Sequence, residues 1–197
     1  MTLSKALIGS NSLVTKGMMV LTGSLFIALA AQVSVPMFPV PMTLQTLAIL
    51  IVGLTFGARL GAATLVAYLA EGAMGLPVFA NGGLGLATFV GPTGGFLIGF
   101  VGMAYLAGLA ADRGFAKGFF STALVAVAVS ALLYVPGLAW PLGVASVAGV
   151  EAGWAGLPAA KVIAGFAQPF LIGDVVKAVI AALVVSGAWK ALELRKG

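Results

Sequence analysis

The stretch EGAMGLPVFANGGLGLATFVGPTGGF, from Glu71 to Phe96, contains eight glycines and two prolines among mostly apolar residues. Gly and Pro interrupt helices, and Gly also lets the backbone approach a ligand closely. Loops normally run over the surface and are polar, whereas this one is apolar. We therefore predict a loop that folds down over a cavity as the lid of a small-molecule site. Its candidate ligand contacts are the Asn81 amide and the backbone of Gly82 and Gly83.

The composition indicates the class of protein to which this loop belongs. The chain of 197 residues is 61% hydrophobic and 8% charged, with a mean hydropathy of +1.18, whereas soluble domains contain about 25% charged residues. We therefore predict an integral membrane protein, and long apolar runs favour helices over a barrel. The chain contains no cysteine and no histidine, which excludes disulfides, thiolate chemistry and imidazole catalysis, and no cofactor is expected. Basic residues lie singly at predicted helix ends, which argues against a nucleic-acid partner.

Apolar runs of about 20 residues indicate helices that cross the lipid bilayer. Residues 1–16 are polar enough to stay in water, three prolines in 36–41 end the first run, and Pro136-Gly137 stops the fifth. The predicted fold is an all-α membrane protein, a bundle of six transmembrane helices in one domain, residues 1–197. The predicted spans are about 17–35, 42–58, 60–74, 94–111, 118–135 and 170–189.

Residues 137–169 are predicted to form a loop at the membrane interface. Trp140 and Trp154 are expected at headgroup depth, where aromatic side chains are enriched. A short helix at about 159–167 is predicted to precede the last span.

Basic residues also predict the orientation, because cytoplasmic loops carry an excess of Lys and Arg. With the N-terminus inside, eight of the ten basic residues fall on the inner side: Lys5, Lys16, Arg59, Arg113, Lys117, Lys190, Arg195 and Lys196. Both termini are therefore expected to be cytoplasmic. The Gly- and Pro-rich connections 36–41, 75–93 and 137–169 then gather on the outer face, which implies a pocket that opens outwards.

Glycines recur at spacings that let membrane helices pack closely. One row comprises Gly53, Gly57 and Gly61, and another comprises Gly91, Gly95, Gly99 and Gly102. We interpret both rows as packing surfaces rather than as ligand sites.

The sharpest polar pattern is Asp174 and Lys177, three residues apart on one face of the last span. A charge costs roughly 2.5–3.5 kcal/mol at the bilayer centre, so charged residues there usually face a cavity or each other. Two interpretations stay open. The residues form a local ion pair near the interface, or Lys177 meets a ligand carboxylate while Asp174 accepts N–H bonds. Asn81 is likewise either a lid contact or a turn residue.

Other polar residues carry weaker signals. Gln45 and Tyr68, in the second and third spans, are interhelical hydrogen-bonding groups or pocket walls, and Glu71 is expected at the outer interface. No phosphate-binding loop occurs, and the five carboxylates show no paired spacing for acid–base chemistry. The sequence therefore disfavours an enzyme.

Three motifs carry a family resemblance. They are PVPMTLQTL at 39–47, GLPVF at 75–79 followed by GPTGGFLIGF at 91–100, and GDVVKA at 173–178. They resemble the BioY family, the biotin-binding S components of energy-coupling-factor (ECF) vitamin transporters, and cover nearly the whole chain in order.

The resemblance implies a fold of six helices that binds biotin from outside, beneath the loop after the third helix. It also implies a multi-pass protein of the bacterial cell membrane that works with a transmembrane coupling subunit and two cytoplasmic ATPases. It assigns Asn81 and Asp174 to the ureido ring and Lys177 to the carboxylate. S components often dock the coupling subunit through a small-x-x-x-small pair on the first helix, and the nearest match is Ser24 with Ala28. High-affinity biotin capture and import is the expected function, with a solitary facilitator or channel, or an S component for another small vitamin, as alternatives.

Overall fold

The computed structural model describes residues 2–8 and 12–195, which are mainly helical. The α-helices are α1 (Leu3–Ile8), α2 (Leu13–Gln32), α3 (Gln45–Phe56), α4 (Ala58–Ala73), α5 (Gly94–Asp112), α6 (Phe119–Ala139), α7 (Ala145–Val147), α8 (Ala159–Phe166) and α9 (Leu171–Leu194). A short antiparallel hairpin of β1 (Ser34–Val35) and β2 (Met42–Thr43) joins α2 to α3. Single 3₁₀ turns cover Ala80–Gly82 and Leu86–Val90, and a π-helical turn covers Trp140–Val144. Lys196, predicted on the inner side, lies outside the described residues.

Four helices in the described part of the chain are long and apolar enough to cross a membrane. They are α2, α5, α9 and the continuous helical stretch Phe119–Val147. The apolar helix α3 has 12 residues and α4 has 16. Each stretch predicted as a span overlaps one of the helices α2 to α6 or α9. The fold is therefore a helical membrane bundle, while the number of crossings stays a prediction.

Several helix ends differ from the prediction, and α9 for example continues to Leu194 instead of ending near residue 189. α2 begins at Leu13 rather than near residue 17, because the Ser12 side chain accepts a hydrogen bond from the Thr15 N–H (3.1 Å) and caps the helix. The fifth predicted span does not stop before Pro136, since α6 continues through this residue to Ala139.

α6 continues past Pro136 because this part of the helix packs closely against α5. Gly137 accommodates the ring of Phe96, because a Cβ at this position would lie 2.3 Å from it. Gly95 approaches the Pro136 carbonyl, where a Cβ would come within 2.3 Å. The same carbonyl accepts a hydrogen bond from the Trp140 N–H, so the helical bonding resumes after the proline ring. Tertiary packing therefore overrides the tendency of Pro to end a helix.

Helix α5 lies at the centre of the bundle, against α3, α4 and α6, and α9 packs against α6 and α3. Glycines permit the close contacts: a Cβ at Gly53 would lie 2.7 Å from the Ala104 carbonyl oxygen, and one at Gly108 would lie 2.3 Å from the backbone of Gly57. The prediction that Gly102 belongs to a packing surface is wrong, because nothing lies within 4 Å of a Cβ added at this residue.

Two regions lie deeper in the protein than the sequence predicts. Thr2 and Leu3, expected in water, are buried where α1 packs against α3. Trp140, expected at headgroup depth, is only 9% exposed, and its indole N–H donates to the Gly91 carbonyl oxygen (2.9 Å). A buried indole needs such a partner, and the glycine-rich loop supplies it. Trp154 is half-buried and packs against a small apolar cluster that joins α8 to the start of α9.

Candidate ligand-binding site

A cavity of about 240 Å³ opens between the first two Gly- and Pro-rich connections. Its walls come from the segment before α3, from the loop between α4 and α5, and from the helices α3, α5, α6 and α9. It is lined by Pro39, Val40, Pro41, Met42, Thr43, Gln45, Thr46, Phe79, Ala80, Asn81, Thr88, Pro92, Thr93, Phe96, Leu97, Phe100, Leu133, Tyr134, Phe170, Asp174 and Lys177. A mostly apolar wall with a few convergent polar groups is typical of small-molecule sites.

Asp174 and Lys177 form an ion pair on the wall that α9 contributes. Lys177 Nζ lies 3.1 Å from Asp174 Oδ1 and donates to Thr46 Oγ1 of α3 at 3.1 Å. Lys177 is only 7% exposed, so its charge is balanced inside the protein rather than by water. An ammonium has three N–H donors, which leaves one for a ligand, and the Asp174 carboxylate keeps free acceptor capacity. The pair thus offers a donor and an acceptor side by side.

Tyr134 of α6 holds the other oxygen of this carboxylate. Its hydroxyl donates to Asp174 Oδ2 at 2.5 Å, and its ring packs edge-on against Phe96 with centroids 6.1 Å apart. Tyr134 is not recognisable as a site residue from the sequence pattern, because it lies 40 positions before Asp174 on another helix. Its only signal is that a phenol inside an apolar span requires a hydrogen-bond partner.

Asn81 occupies a tight turn at the rim of the cavity, and the end of α2 holds that turn. Its backbone is left-handed (φ 57°), a conformation that Asn tolerates better than most residues. Ser34 Oγ donates to Asn81 Oδ1 at 2.6 Å, which leaves the Nδ2 donors available to a ligand. Gln32 bonds the backbone on both sides of Asn81, at the Phe79 carbonyl and at the Gly82 N–H (3.0 Å each).

Gln45 and Tyr68 form a buried chain of hydrogen bonds behind the cavity. Gln45 Nε2 donates to Tyr68 Oη (2.7 Å), and the Tyr68 hydroxyl donates to the Val78 carbonyl oxygen (2.9 Å). Gln45 lines the cavity, whereas Tyr68 is fully buried outside the lining and packs edge-on against Phe79. Tyr68 therefore supports the loop rather than the ligand directly.

Gly82 and Gly83, predicted as ligand contacts, do not line the cavity. Gly82 N–H is engaged by Gln32, while Gly83 N–H donates to the Ala80 carbonyl and the Gly83 carbonyl accepts from Phe79 N–H. These bonds close the turn on itself, so the backbone groups are used within the loop. The cavity surface there comes from Phe79 and Ala80 instead.

Ser24 and Ala28, predicted to dock a partner, are 1% and 8% exposed, so neither side chain is available at a surface. Ser24 Oγ donates to Glu71 Oε1 of α4 at 2.8 Å, which binds α2 to α4 inside the bundle. Glu71, which accepts this bond, is half-buried. The docking assignment is corrected accordingly: the pair faces the bundle interior.

The fold and the site together define a helical membrane protein with a ligand-sized cavity and a buried ion pair in its wall. The family model described as the BioY family matches residues 4–194. The chain therefore belongs to the BioY family.

Known proteins are similar over most of the chain. A protein of Pyrococcus horikoshii described as "Probable biotin transporter BioY" is 35% identical over 164 residues, which cover 82% of this chain and 90% of that protein. The "Biotin transporter BioY" of Rhizobium etli is 35% identical over 167 residues, covering 80% and 82%. The fold is similar to the crystal structure of the S-component for biotin from an ECF-type ABC transporter, with a TM-score of 0.73 and 24% identity over 93% of this chain and 92% of that one.

Proposed function

We propose that this protein captures biotin with high affinity and imports it as the substrate-specific subunit of an ECF-type ABC transporter. The observation that carries the proposal is the cavity with the Asp174–Lys177 ion pair in a member of the BioY family. Relatives described as biotin transporters align with about four-fifths of this chain, as the shares of 82% and 80% indicate. The protein is accordingly a transport subunit rather than an enzyme.

The chemistry of biotin matches the groups around the cavity. Biotin has an apolar bicycle, a ureido group with two N–H donors and one carbonyl acceptor, and an anionic tail. The Asp174 carboxylate suits the N–H donors, and the free Nδ2 donors of Asn81 suit the carbonyl. The remaining donor of Lys177 suits the carboxylate tail, and the rings of Phe96 and Phe100 suit the bicycle.

The proposed topology has six crossings, with both termini cytoplasmic and the cavity open to the outside of the cell membrane. The short helices α3 and α4 rise about 18 and 24 Å at 1.5 Å per residue, less than the roughly 30 Å of a bilayer core. The segments that continue them, 36–44 and 74–93, line or cover the cavity. Irregular backbone at membrane depth is tolerated where it borders such a cavity.

The proposed partners are biotin, membrane lipid, a transmembrane coupling subunit and two cytoplasmic ATPases. The chain has no phosphate-binding loop, so ATP hydrolysis is assigned to the ATPases. The surface that meets the coupling subunit is not Ser24 with Ala28, because both are buried.

Binding of radiolabelled biotin to the purified chain alone tests the proposal. We expect saturable binding without nucleotide, displaced by unlabelled biotin and not by equal concentrations of thiamine or riboflavin. Stronger displacement by another vitamin indicates an S component of different specificity. Absence of biotin binding by a monodisperse preparation contradicts the proposed function.

A further inference from the structure

The end of α2 and the start of β1 are tied to the turn that carries Asn81 by three hydrogen bonds between distant parts of the chain. Gln32 Nε2 donates to the Phe79 carbonyl oxygen (3.0 Å), and Gln32 Oε1 accepts from the Gly82 N–H (3.0 Å). Ser34 Oγ donates to the Asn81 side-chain oxygen (2.6 Å). One amide therefore holds the backbone on both sides of Asn81, and a hydroxyl sets the direction of its side chain.

The Gln32 amide is itself oriented by its own helix. Its Nε2 also donates to the Ala28 carbonyl oxygen at 3.2 Å, so the two N–H groups and the carbonyl of this amide all have partners. Gln32 does not line the cavity. Any effect of this side chain on a ligand must therefore pass through the turn.

The turn needs this support because Phe79 is the last residue before Asn81 whose side chain is held by packing in the protein interior. Phe79 is 1% exposed and packs edge-on against Tyr68 and Phe89, with ring centroids 5.5 Å apart in each case. Gly72 gives it room, since a Cβ there would lie 2.1 Å from the Phe79 ring. Asn81, two residues further on, is exposed and left-handed, so apolar packing does not hold it.

We propose that Gln32 and Ser34 form a latch that positions Asn81 over the cavity and thereby sets how long the ligand stays bound. This inference rests on the proposed binding of biotin. With the latch closed, Asn81 Oδ1 is occupied and its N–H donors face a ligand acceptor. With the latch broken, the turn is held only by its internal bonds, and the donor is no longer preorganised. Gln32 and Ser34 are positioning residues, whereas Asn81 is the ligand contact.

Gln32→Met tests the latch, because methionine has a similar length and volume but cannot make the two amide bonds to Phe79 and Gly82. The purified chain is loaded with radiolabelled biotin and diluted into excess unlabelled biotin, and the dissociation rate is measured. The loss of these two hydrogen bonds predicts dissociation at least about fivefold faster than in the native protein. Gln168→Met is the matched control, since Gln168 is exposed, does not line the cavity and has no side-chain bond to any residue that the structure describes.

The Asn81→Ala background separates positioning from a general loss of stability. If Gln32 acts through Asn81, adding Gln32→Met to Asn81→Ala changes the dissociation rate by less than about twofold, because coupled residues are not additive. Ser34→Ala is expected to behave in the same way. An equal acceleration by Gln32→Met in both backgrounds overturns the latch, as does an unchanged rate in the single variant. If the native chain itself retains no biotin, the proposed function fails, and this outcome is distinct from failure of the latch.

Discussion

Lys177 is a buried cation whose charge is shared between a carboxylate of its own helix and a hydroxyl of α3. In lipid such a residue is retained only where it has partners, and a ligand anion is one further partner that the cavity admits. The geometry leaves a single Lys177 N–H for this purpose, next to the carboxylate of Asp174. The tail assignment is therefore open to a direct test.

Lys177→Ala is expected to remove one charge-assisted hydrogen bond of about 1.5–3 kcal/mol, which weakens biotin binding roughly 10- to 150-fold. Biotin methyl ester, which has no anionic tail, should bind the native protein less tightly and lose little more in the variant. Lys161→Ala, an exposed lysine outside the cavity, is the control. Equilibrium binding of acid and ester to both proteins measures the difference.

Equal losses of acid and ester would show that Lys177 does not bind the carboxylate tail and that the predicted ligand orientation is wrong. An unchanged affinity for both would make Lys177 a structural partner of Asp174. Because removal of Lys177 leaves Asp174 without a cation, folding is checked by monodispersity in detergent.

Tyr134→Phe keeps the ring that packs on Phe96 and removes the hydroxyl that orients Asp174. Tyr134 and Asp174 line both the cavity and a second cavity of about 150 Å³ between α6 and α9. The phenylalanine ring therefore keeps the wall between the two cavities in place. We expect biotin affinity to fall about 3- to 10-fold, the value of one net hydrogen bond. In an Asp174→Asn background the same change should have little effect, and Tyr105→Phe, an exposed tyrosine of α5, should have none. Equal losses with and without the Asp174 carboxylate would disprove the orienting role.

At the level of the helices, the glycines of α5 differ in what they contact, although the sequence presents them as one kind of residue. Gly108 meets the backbone of the turn between α3 and α4, where Asp112 Oδ2 also accepts the Ala58 N–H (3.0 Å). Gly102, on the same helix, faces open space. The spacing rule identifies packing surfaces but does not tell which glycine of a row is in contact.

Gly108→Ala is expected to destabilise the protein by about 1–3 kcal/mol, because its Cβ would lie 2.3–2.6 Å from backbone atoms that cannot rotate away. Gly102→Ala is the matched control. It should leave the stability unchanged or raise it slightly, since Ala has a higher helix propensity than Gly. Thermal unfolding of both variants in detergent, followed by tryptophan fluorescence, gives the comparison. A Gly108 variant that melts with the native protein would mean that α5 and the α3–α4 turn do not pack as described.

For the protein as a whole, the orientation in the membrane is the prediction on which outward capture depends. The natural sequence has no cysteine, so each single-cysteine variant reports one position without background. Ala87→Cys lies on the exposed part of the lid, and Ala191→Cys lies near the end of α9. In intact cells an impermeant thiol reagent should label Ala87→Cys and spare Ala191→Cys, and biotin should slow the labelling. The reverse pattern would invert the topology and remove the basis for import.

Energy coupling is the second prediction for the complete molecule. Because the chain has no phosphate-binding loop, it should bind biotin without nucleotide and hydrolyse no ATP when purified. Uptake against a gradient should disappear when the proposed partner ATPases are deleted, whereas binding persists. Accumulation of biotin against a gradient by liposomes that contain this chain alone would rule out the need for partners. Equilibrating flux in such liposomes would favour a solitary facilitator or channel.

Much of the fold follows from local properties of the sequence. The proportion of apolar residues and the length of the apolar runs predict a helical membrane bundle, and helices lie in all the predicted stretches. The i, i+3 spacing of Asp174 and Lys177 predicts that they share a face, and they form an ion pair. Each of these features depends on neighbours within one or two helical turns, so it is encoded in the spacing of residues along the chain.

The tertiary structure alone decides which distant groups meet. It carries α6 through Pro136, brings Tyr134 to Asp174 across 40 residues, and turns Ser24 towards α4 instead of a partner. It also brings Gln32 to the lid, 47 and 50 residues away. These contacts lie between helices, and their geometry depends on how the helices pack, which no spacing within one helix specifies. A buried polar group must find a hydrogen-bond partner, but only the packed bundle determines which one it finds.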